Sequence, residues 1–258
     1  MISGYGSAAT LNQLQRKLET LSNNIANAHT VGFKGRSVSF SDVLSSEYTN
    51  QPNESRSTPH GLRVGTGART SLTALSMTQG SIQETERALD FALTEPNVFF
   101  TIATSEGQRL TRDGTFYFSE TGGGLSLVTK NGDPVLGANG QPITLPQSTT
   151  SVRLESTGLI AELADGTEQV IPTFGLTEIE RPQALEAVGE NQFLYQLDDA
   201  AFLQAGDDQV MQKALEQSNV DISQEMTQLI ATQRQIQLQA RAFTFSDDMA
   251  GLVNNIRR

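Results

Sequence analysis

The chain contains no cysteine, so neither disulfides nor thiolate metal sites hold it together, and it would behave alike in reducing and oxidising surroundings. Histidine is scarce: only His29 and His60 occur, in unrelated contexts, with no H-E-x-x-H pattern and no acidic loop of metal-binding spacing. No metal and no cofactor are therefore expected. No apolar run approaches the ~18 residues that mark a membrane span, and Met1-Ile2-Ser3-Gly4-Tyr5-Gly6 lacks the basic patch and apolar block of a secretory signal. The expectation is a chain that neither spans a membrane nor follows the general secretion route. Positive charge is also short, with 18 Lys and Arg against 29 Asp and Glu and a net charge of -11, which disfavours a nucleic-acid partner.

Catalytic constellations are missing as well. The adjacent carboxylates Asp198-Asp199, Asp207-Asp208 and Asp247-Asp248 diverge on helix and strand alike, so they read as surface charge rather than an acid/base pair. Gly122 to Gly124 lacks the following Lys and helix of a phosphate loop and reads as a hairpin turn. Nothing points to a Ser-His-Asp arrangement. No catalytic residue is assigned, and the chain is not expected to be an enzyme.

What is present begins at the two ends. Leu11, Leu14, Leu18, Leu21, Ile25 and Ala28 recur at alternating spacings of three and four, the apolar seam of a helix that pairs with another helix. The run then meets Asn23, Asn24 and Asn27, whose amides compete for backbone hydrogen bonds, and Gly32, which tolerates the positive φ of a chain reversal. The helix should stop near Ala28 to Thr30, with Phe33 placed to fix the exit angle. At the other end Asp221 and Gln224 give a start signal of the capping-box kind. From there Ile222, Met226, Leu229, Gln233, Ile236, Ala240 and Phe243 keep spacings of three and four, and the seam resumes out of phase as Phe245, Met249, Leu252 and Ile256. No Gly or Pro interrupts Val220 to Ala250, so a helix of roughly 50 Å is predicted, stable only with partners along it.

Between the ends the periodicity changes. Residues 35–67 are rich in Ser, Thr, Asn and Gly and contain Pro52 and Pro59, which predicts an extended connector with at most a short helix near Ser41 to Tyr48. From about Ala68, turn signals such as Glu106-Gly107, Asp113-Gly114, Asn131-Gly132, Asn139-Gly140 and Asp165-Gly166 separate short runs rich in Val, Ile, Leu, Phe and Thr. These runs, among them Val98 to Thr104, Thr115 to Phe118 and Leu125 to Thr129, predict an antiparallel all-β domain over 68–218, a sandwich or barrel. Residues 207–217 read equally as strand or short helix. The fold class is thus α+β: an inner helical domain from 1–34 and 219–258, paired like a coiled coil, a connector 35–67 and a β-domain. The ends are close to neutral, because 1–33 carries only Arg16, Lys17 and Glu19 and 219–258 balances four acids with four arginines. The negative charge lies in the middle, which suits ends packed among protein and a centre facing water.

One stretch is more specific. Leu21-Ser22-Asn23-Asn24-Ile25-Ala26-Asn27-Ala28-His29-Thr30-Val31-Gly32-Phe33-Lys34 resembles the signature of bacterial flagellar rod and hook proteins. Three further stretches agree in order: Gln79-Gly80 with Leu89-Asp90-Phe91-Ala92-Leu93, then Leu110 to Phe116, then Leu215-Glu216-Gln217-Ser218-Asn219-Val220-Asp221 followed by Glu225-Met226 and Gln233-Arg234. The chain departs from the family pattern at Glu95-Pro96-Asn97-Val98-Phe99-Phe100 and at Gln235-Ile236-Gln237-Leu238. Length and the modest middle are most like the distal rod type, with proximal rod and hook types as alternatives and a secreted β-domain adhesin as a reading of a different class.

The resemblance implies a structural subunit of the basal body that packs its terminal helices into the inner wall of a helical tube and transmits motor torque to the hook. Its partners would be further copies of itself, neighbouring rod and hook proteins, and the flagellar type III export apparatus, which carries subunits outward without a cleaved signal. The residues implied for assembly are Leu21, Ser22, Asn23, Asn24, Ile25, Ala26, Asn27, Thr30, Gly32 and Phe33, with the seams Leu11, Leu14, Leu18, Leu21, Ile25 and Ile222, Met226, Leu229, Ile236, Phe243, Met249, Leu252, Ile256.

Overall fold

The computed structural model describes residues 2–42, 45–48, 62–65, 68–121, 124–155, 158–195, 201–204 and 209–256. The chain divides into two compact units, one of residues 1–26, 36–74 and 221–258 and one of residues 27–35 and 75–220. The first holds the helices, the second most of the strands.

In the β-unit the strand Val98–Thr104 lies inside a six-stranded antiparallel sheet. The strand order is Leu185–Gly189, Gln192–Tyr195, Gly107–Thr111, Val98–Thr104, Gly175–Glu178 and Ala201–Gln204. Strand periodicity sends Val98, Phe100 and Ile102 into one apolar cluster and Phe99 into another, on the opposite face. A strand buried on both faces is bound to be apolar throughout, and Val98 to Ile102 meets that demand with Thr101 as its one polar member. Its hydroxyl is paired with that of Thr177 at 3.0 Å.

The larger cluster also takes Leu127 and Leu145 from a three-stranded sheet (Tyr117–Thr121, Gly124–Val128, Thr144–Leu145) and Val152, Leu159 and Ile171 from another (Thr149–Glu155, Gly158–Leu163, Glu168–Ile171). At its centre the rings of Phe91, Phe100, Phe116 and Phe174 meet with centroids 4.7–6.1 Å apart, mostly edge to face, as the ring quadrupoles prefer. Two ribbons complete the unit: Phe91–Leu93 with Val210–Gln212, and Ile82–Glu84 with Ala214–Glu216. The ambiguous stretch near 207–217 is therefore strand from Val210 onward, while 205–208 lies outside the described residues.

The expected antiparallel β-domain is present, but the barrel alternative is corrected. Among the described residues the outer strands of the six-stranded sheet pair on one side only, so the ladder does not close. A barrel needs every strand to find two neighbours; here the core is filled from several short sheets instead.

In the helical unit α1 spans Ile2–Ala26 and α2 spans Ile222–Ile256, and the two lie against each other. α1 stops at Ala26, a turn ahead of Gly32 and close to the expected end. α2 starts where the cap signal predicts: the Asp221 carboxylate accepts the backbone N–H groups of Ser223 at 2.9 Å and Gln224 at 3.2 Å, satisfying two donors that the first turn leaves open. The short helix expected near Ser41 to Tyr48 is not formed. Arg36–Asp42 and Ser45–Tyr48 are strands, paired with Ala68–Leu75 and Leu62–Gly65. The cause is legible in Ser37-Val38-Ser39-Phe40-Ser41, where apolar and polar residues alternate with period two. The remainder of the connector, 43–44, 49–61 and 66–67, lies outside the described residues.

Candidate assembly interface and the anchored Gly-Phe turn

The signature begins on α1 and ends inside the β-unit. On the helix Asn24 is buried and bonded both ways to the strand that follows: its amide nitrogen donates to the Arg36 carbonyl at 2.9 Å, and its oxygen accepts the Arg36 N–H at 3.0 Å. A carboxamide holds a donor and an acceptor side by side, which matches the C=O and N–H of one backbone residue. The turn Asn27 to Thr30 is closed by the Thr30 N–H donating to the Asn27 carbonyl at 3.1 Å and the Thr30 hydroxyl donating to the Asn27 side chain at 3.3 Å.

Gly32 is fixed twice over. Its φ is +67°, and a Cβ there would stand 2.5–2.7 Å from the backbone of Arg112 and Asp113, nearer than any side chain tolerates. Its N–H donates to the Glu216 carbonyl at 2.8 Å.

Two residues on, Lys34 enters an ion cluster that no spacing rule announced. Its ammonium donates to Glu216 Oε1 at 2.8 Å and to the Thr78 carbonyl at 2.9 Å. The Gly80 N–H reaches the same Oε1 at 2.9 Å. Arg112 donates through Nε to Glu216 Oε2 at 2.9 Å, with a second, shorter bond from its terminal nitrogen. Its remaining nitrogen serves the carbonyls of Glu95 and Val98. All three side chains are 0–1% exposed. Two cations thus share one carboxylate in the interior. Burial, and then the Arg112 charge, pull the Lys34 ammonium below its ordinary pKa, with Glu216 acting in the opposite sense. Burial likewise lowers Arg112.

Asn219 closes the arrangement from the other end of the β-unit. It accepts the Gly35 N–H at 2.8 Å and donates to the carbonyls of Ser76 and Thr78, each at 2.9 Å, while its own N–H donates to the Phe33 carbonyl at 3.4 Å. All four stretches that carry the family resemblance therefore meet around this node. Gly80 lies so close that a Cβ would fall 1.9 Å from the Gln217 carbonyl, and one on Gly114 would fall 1.7 Å from that of Phe91. The turn at Glu95 to Val98, where the chain departs from the family pattern, still offers Arg112 two carbonyls.

The helix seams are covered unequally. On α1, Leu21 is buried and Leu11, Leu14, Leu18 and Ile25 are half-buried; Ser22, Asn23 and Ala26 face outward, and Asn27, Thr30 and Phe33 are half-buried. On α2 only Ile222, Leu229 and Ile236 of the named seam are half-buried, while Met226, Phe243, Met249 and Leu252 are exposed and Ile256 ends the helix. The stripe that α2 does cover runs through Glu225, Leu229, Thr232, Ile236 and Gln239, with Thr232 fully buried. Meanwhile Ile230, Leu238 at 63% and Phe245 at 66% exposure stand in the open. The covered side of α2 thus mixes polar and apolar side chains while most of its large apolar residues are bare, which a seam read from spacing alone did not distinguish.

Of the other candidates, His29 and Asp248 are exposed, and His60, Asp198-Asp199 and Asp207-Asp208 lie outside the described residues. Among the described residues no group of three His, Asp or Glu could hold a metal ion, and no helix is long and apolar enough to cross a membrane.

Comparison with known proteins bears directly on this layout. Residues 6–34 match the family model described as flagella basal body rod protein, residues 95–161 that of the flagellar hook protein FlgE/F/G D1 domain, and residues 211–256 that of the flagellar basal body rod FlgEFG protein C-terminal. The chain is similar to the flagellar hook-basal body complex protein FlhP of Bacillus subtilis, 36% identical with 97% of each chain covered. It is 30% identical to the flagellar basal-body rod protein FlgG of the same organism over 98% of each chain. It is also 33% identical to the flagellar basal-body rod protein FlgF of Rhizobium meliloti, over 89% of this chain and 87% of that one. With four signature stretches gathered at one node and relatives aligned almost end to end, the chain belongs to the bacterial flagellar rod and hook protein family.

Proposed function

We propose that this chain is a structural subunit of the flagellar rod, of the distal type, which assembles with copies of itself through α1 and α2 into a helical tube that passes torque toward the hook. The observation that carries the reading is the number of large apolar side chains left bare on α2: Met226, Ile230, Leu238, Phe245, Met249 and Leu252 on one broad side, with Phe243 on another. An isolated helix gains nothing from such a face, whereas neighbouring subunits would cover it. In the tube α1 and α2 form a coiled-coil-like inner layer, the connector 35–67 ties neighbours together, and the acidic β-unit faces outward. Neighbouring rod and hook proteins are the axial partners, and the flagellar type III apparatus exports the subunit. The distal assignment rests on the length of the chain and its modest middle, which resemble that type most.

Light scattering and circular dichroism on the full chain, as concentration rises, test the assembly. Mass and helicity should climb together, and a double variant Leu238→Glu, Phe245→Glu should remain monomeric. A wild type that stays monomeric at high concentration would remove the reading. Electron microscopy of basal bodies from cells lacking the gene separates the subtypes. A rod that keeps only its inner part supports the distal type, no rod at all points to the proximal type, and a complete rod without a hook points to the hook type.

A further inference from the structure

We propose that Lys34, Glu216 and Asn219 form a clasp that binds the segment entering the β-unit to the segment leaving it, so that load carried by either terminal helix reaches the β-unit at a single joint. The loading rests on the rod reading; the clasp itself rests on geometry. Residues 32–35 follow α1 and residues 216–219 precede α2, and the two segments are laced by four contacts. These are the Gly32 N–H to the Glu216 carbonyl (2.8 Å), Lys34 to the Glu216 carboxylate (2.8 Å), the Asn219 N–H to the Phe33 carbonyl (3.4 Å) and the Gly35 N–H to the Asn219 side chain (2.8 Å). A third segment, 76–80, is drawn in by Thr78, Ser76 and Gly80.

The charge count singles out Lys34. Arg112 alone neutralises Glu216, through two bonds to one oxygen, so the β-unit has a complete buried pair without any lysine. Lys34 adds a second buried cation beside Arg112, an arrangement that costs desolvation and repulsion. Filling space would need only an apolar side chain of similar length. What the ammonium adds is directional bonding between segments 182 residues apart in sequence. Asn219 does the same from the opposite side with a neutral group, and its amide is used for both donation and acceptance.

The test uses the dilute full-length protein and residue-resolved amide exchange. In Lys34→Met the Glu216–Arg112 pair survives, so the cooperative unfolding of the β-unit should stay close to wild type. The amides of Gly32, Gly35, Gln217 and Asn219 should exchange at least about tenfold faster, while those of Thr101 and Thr177 hold their protection. Leu159→Ala, a core truncation remote from the node, should raise exchange throughout the β-unit without favouring those four. The clasp is overturned if Lys34→Met raises the four amides no more than the remainder of the unit. Should Lys34→Met not fold, Asn219→Ala, at a half-buried site, decides by the same pattern. Swimming in viscous medium then supplies the functional arm: cells with either clasp variant should slow severalfold more than cells with Leu159→Ala, and equal slowing would overturn the load-bearing role. Deletion of the gene without effect on flagella would remove the rod reading and leave the exchange result standing.

Discussion

Phe91, Phe99, Phe100, Phe116 and Phe174 in the β-unit are almost wholly shut away from water, whereas Phe243 and Phe245 on α2 are exposed, the latter by 66%. The same contrast holds for the aliphatic residues: Ile102 and Leu176 are buried, Ile230 and Leu238 are not. Burying such a side chain stabilises by roughly 1.5–3 kcal/mol. The β-unit collects that term from its own chain, and α2 leaves it uncollected several times over. One unit therefore carries a finished core. In the proposed rod the other carries half of an interface, and the free energy it forgoes as a single chain would become available once neighbours cover it.

Paired truncations put this contrast to its severest test. Phe174→Ala removes the ring that three other phenylalanines touch and should cost about 3–5 kcal/mol in urea unfolding of the dilute chain. Phe245→Ala should change the same measurement by less than about 0.5 kcal/mol, yet lower the scattering mass at high concentration. Comparable costs in the monomer would mean that α2 is already covered.

Next in size is the ion cluster. Glu216→Gln leaves the Lys34 and Arg112 charges buried without a counter-ion and should destabilise the β-unit by about 3 kcal/mol, read from thermal or urea unfolding. A loss below about 1 kcal/mol would show that water reaches the site and that the β-unit's interior is less closed than its phenylalanines imply.

How much of this was legible in the sequence follows the range of the forces involved. The short apolar run of Val98 to Thr104, closed by a turn signal, and the seam of α1 are local signals, and they give strand and helix where they stand. Gly32 was legible as a turn glycine from local conformation, but its second constraint, the backbone of Arg112 pressed against it, is tertiary and leaves no mark nearby. Lys34, Arg112 and Glu216 are far apart in sequence and look like ordinary surface charges; only their membership in stretches resembling one family hinted at a common place. The seam of α2 misled for a related reason. Spacing shows which residues share a face, but whether Met226 or Thr232 is covered depends on what lies alongside.

A smaller effect sharpens the contrast from the helical side. Asp221→Ala removes the cap of α2 and should cost about 1 kcal/mol of helix stability. Because the helix is not part of the β-core, the loss should appear as reduced helical circular dichroism with the unfolding of the β-unit unchanged. A parallel shift in both signals would make the two units one cooperative block.

The smallest effect concerns an exposed group of the β-unit whose partners lie within its own turn. In the turn between Gly158–Leu163 and Glu168–Ile171, the Asp165 carboxylate accepts the Thr167 hydroxyl at 2.6 Å and the Thr167 N–H at 3.0 Å. Those bonds, the hydroxyl first, hold its pKa below the ordinary aspartate value of 3.8. A folded pKa that is depressed contributes stability present in full above the unfolded value and lost as pH falls through the folded one. Wild type should therefore be slightly more stable than Asp165→Asn at neutral pH, with the gap closing below about pH 4 and shrinking with salt, since the group is fully solvated. The gap should also be independent of protein concentration, because both partners belong to one turn. On the proposed assembly the effect of Phe245→Ala, in contrast, should grow with concentration, so titrating the two variants side by side tells a contact completed within the chain from one made between copies.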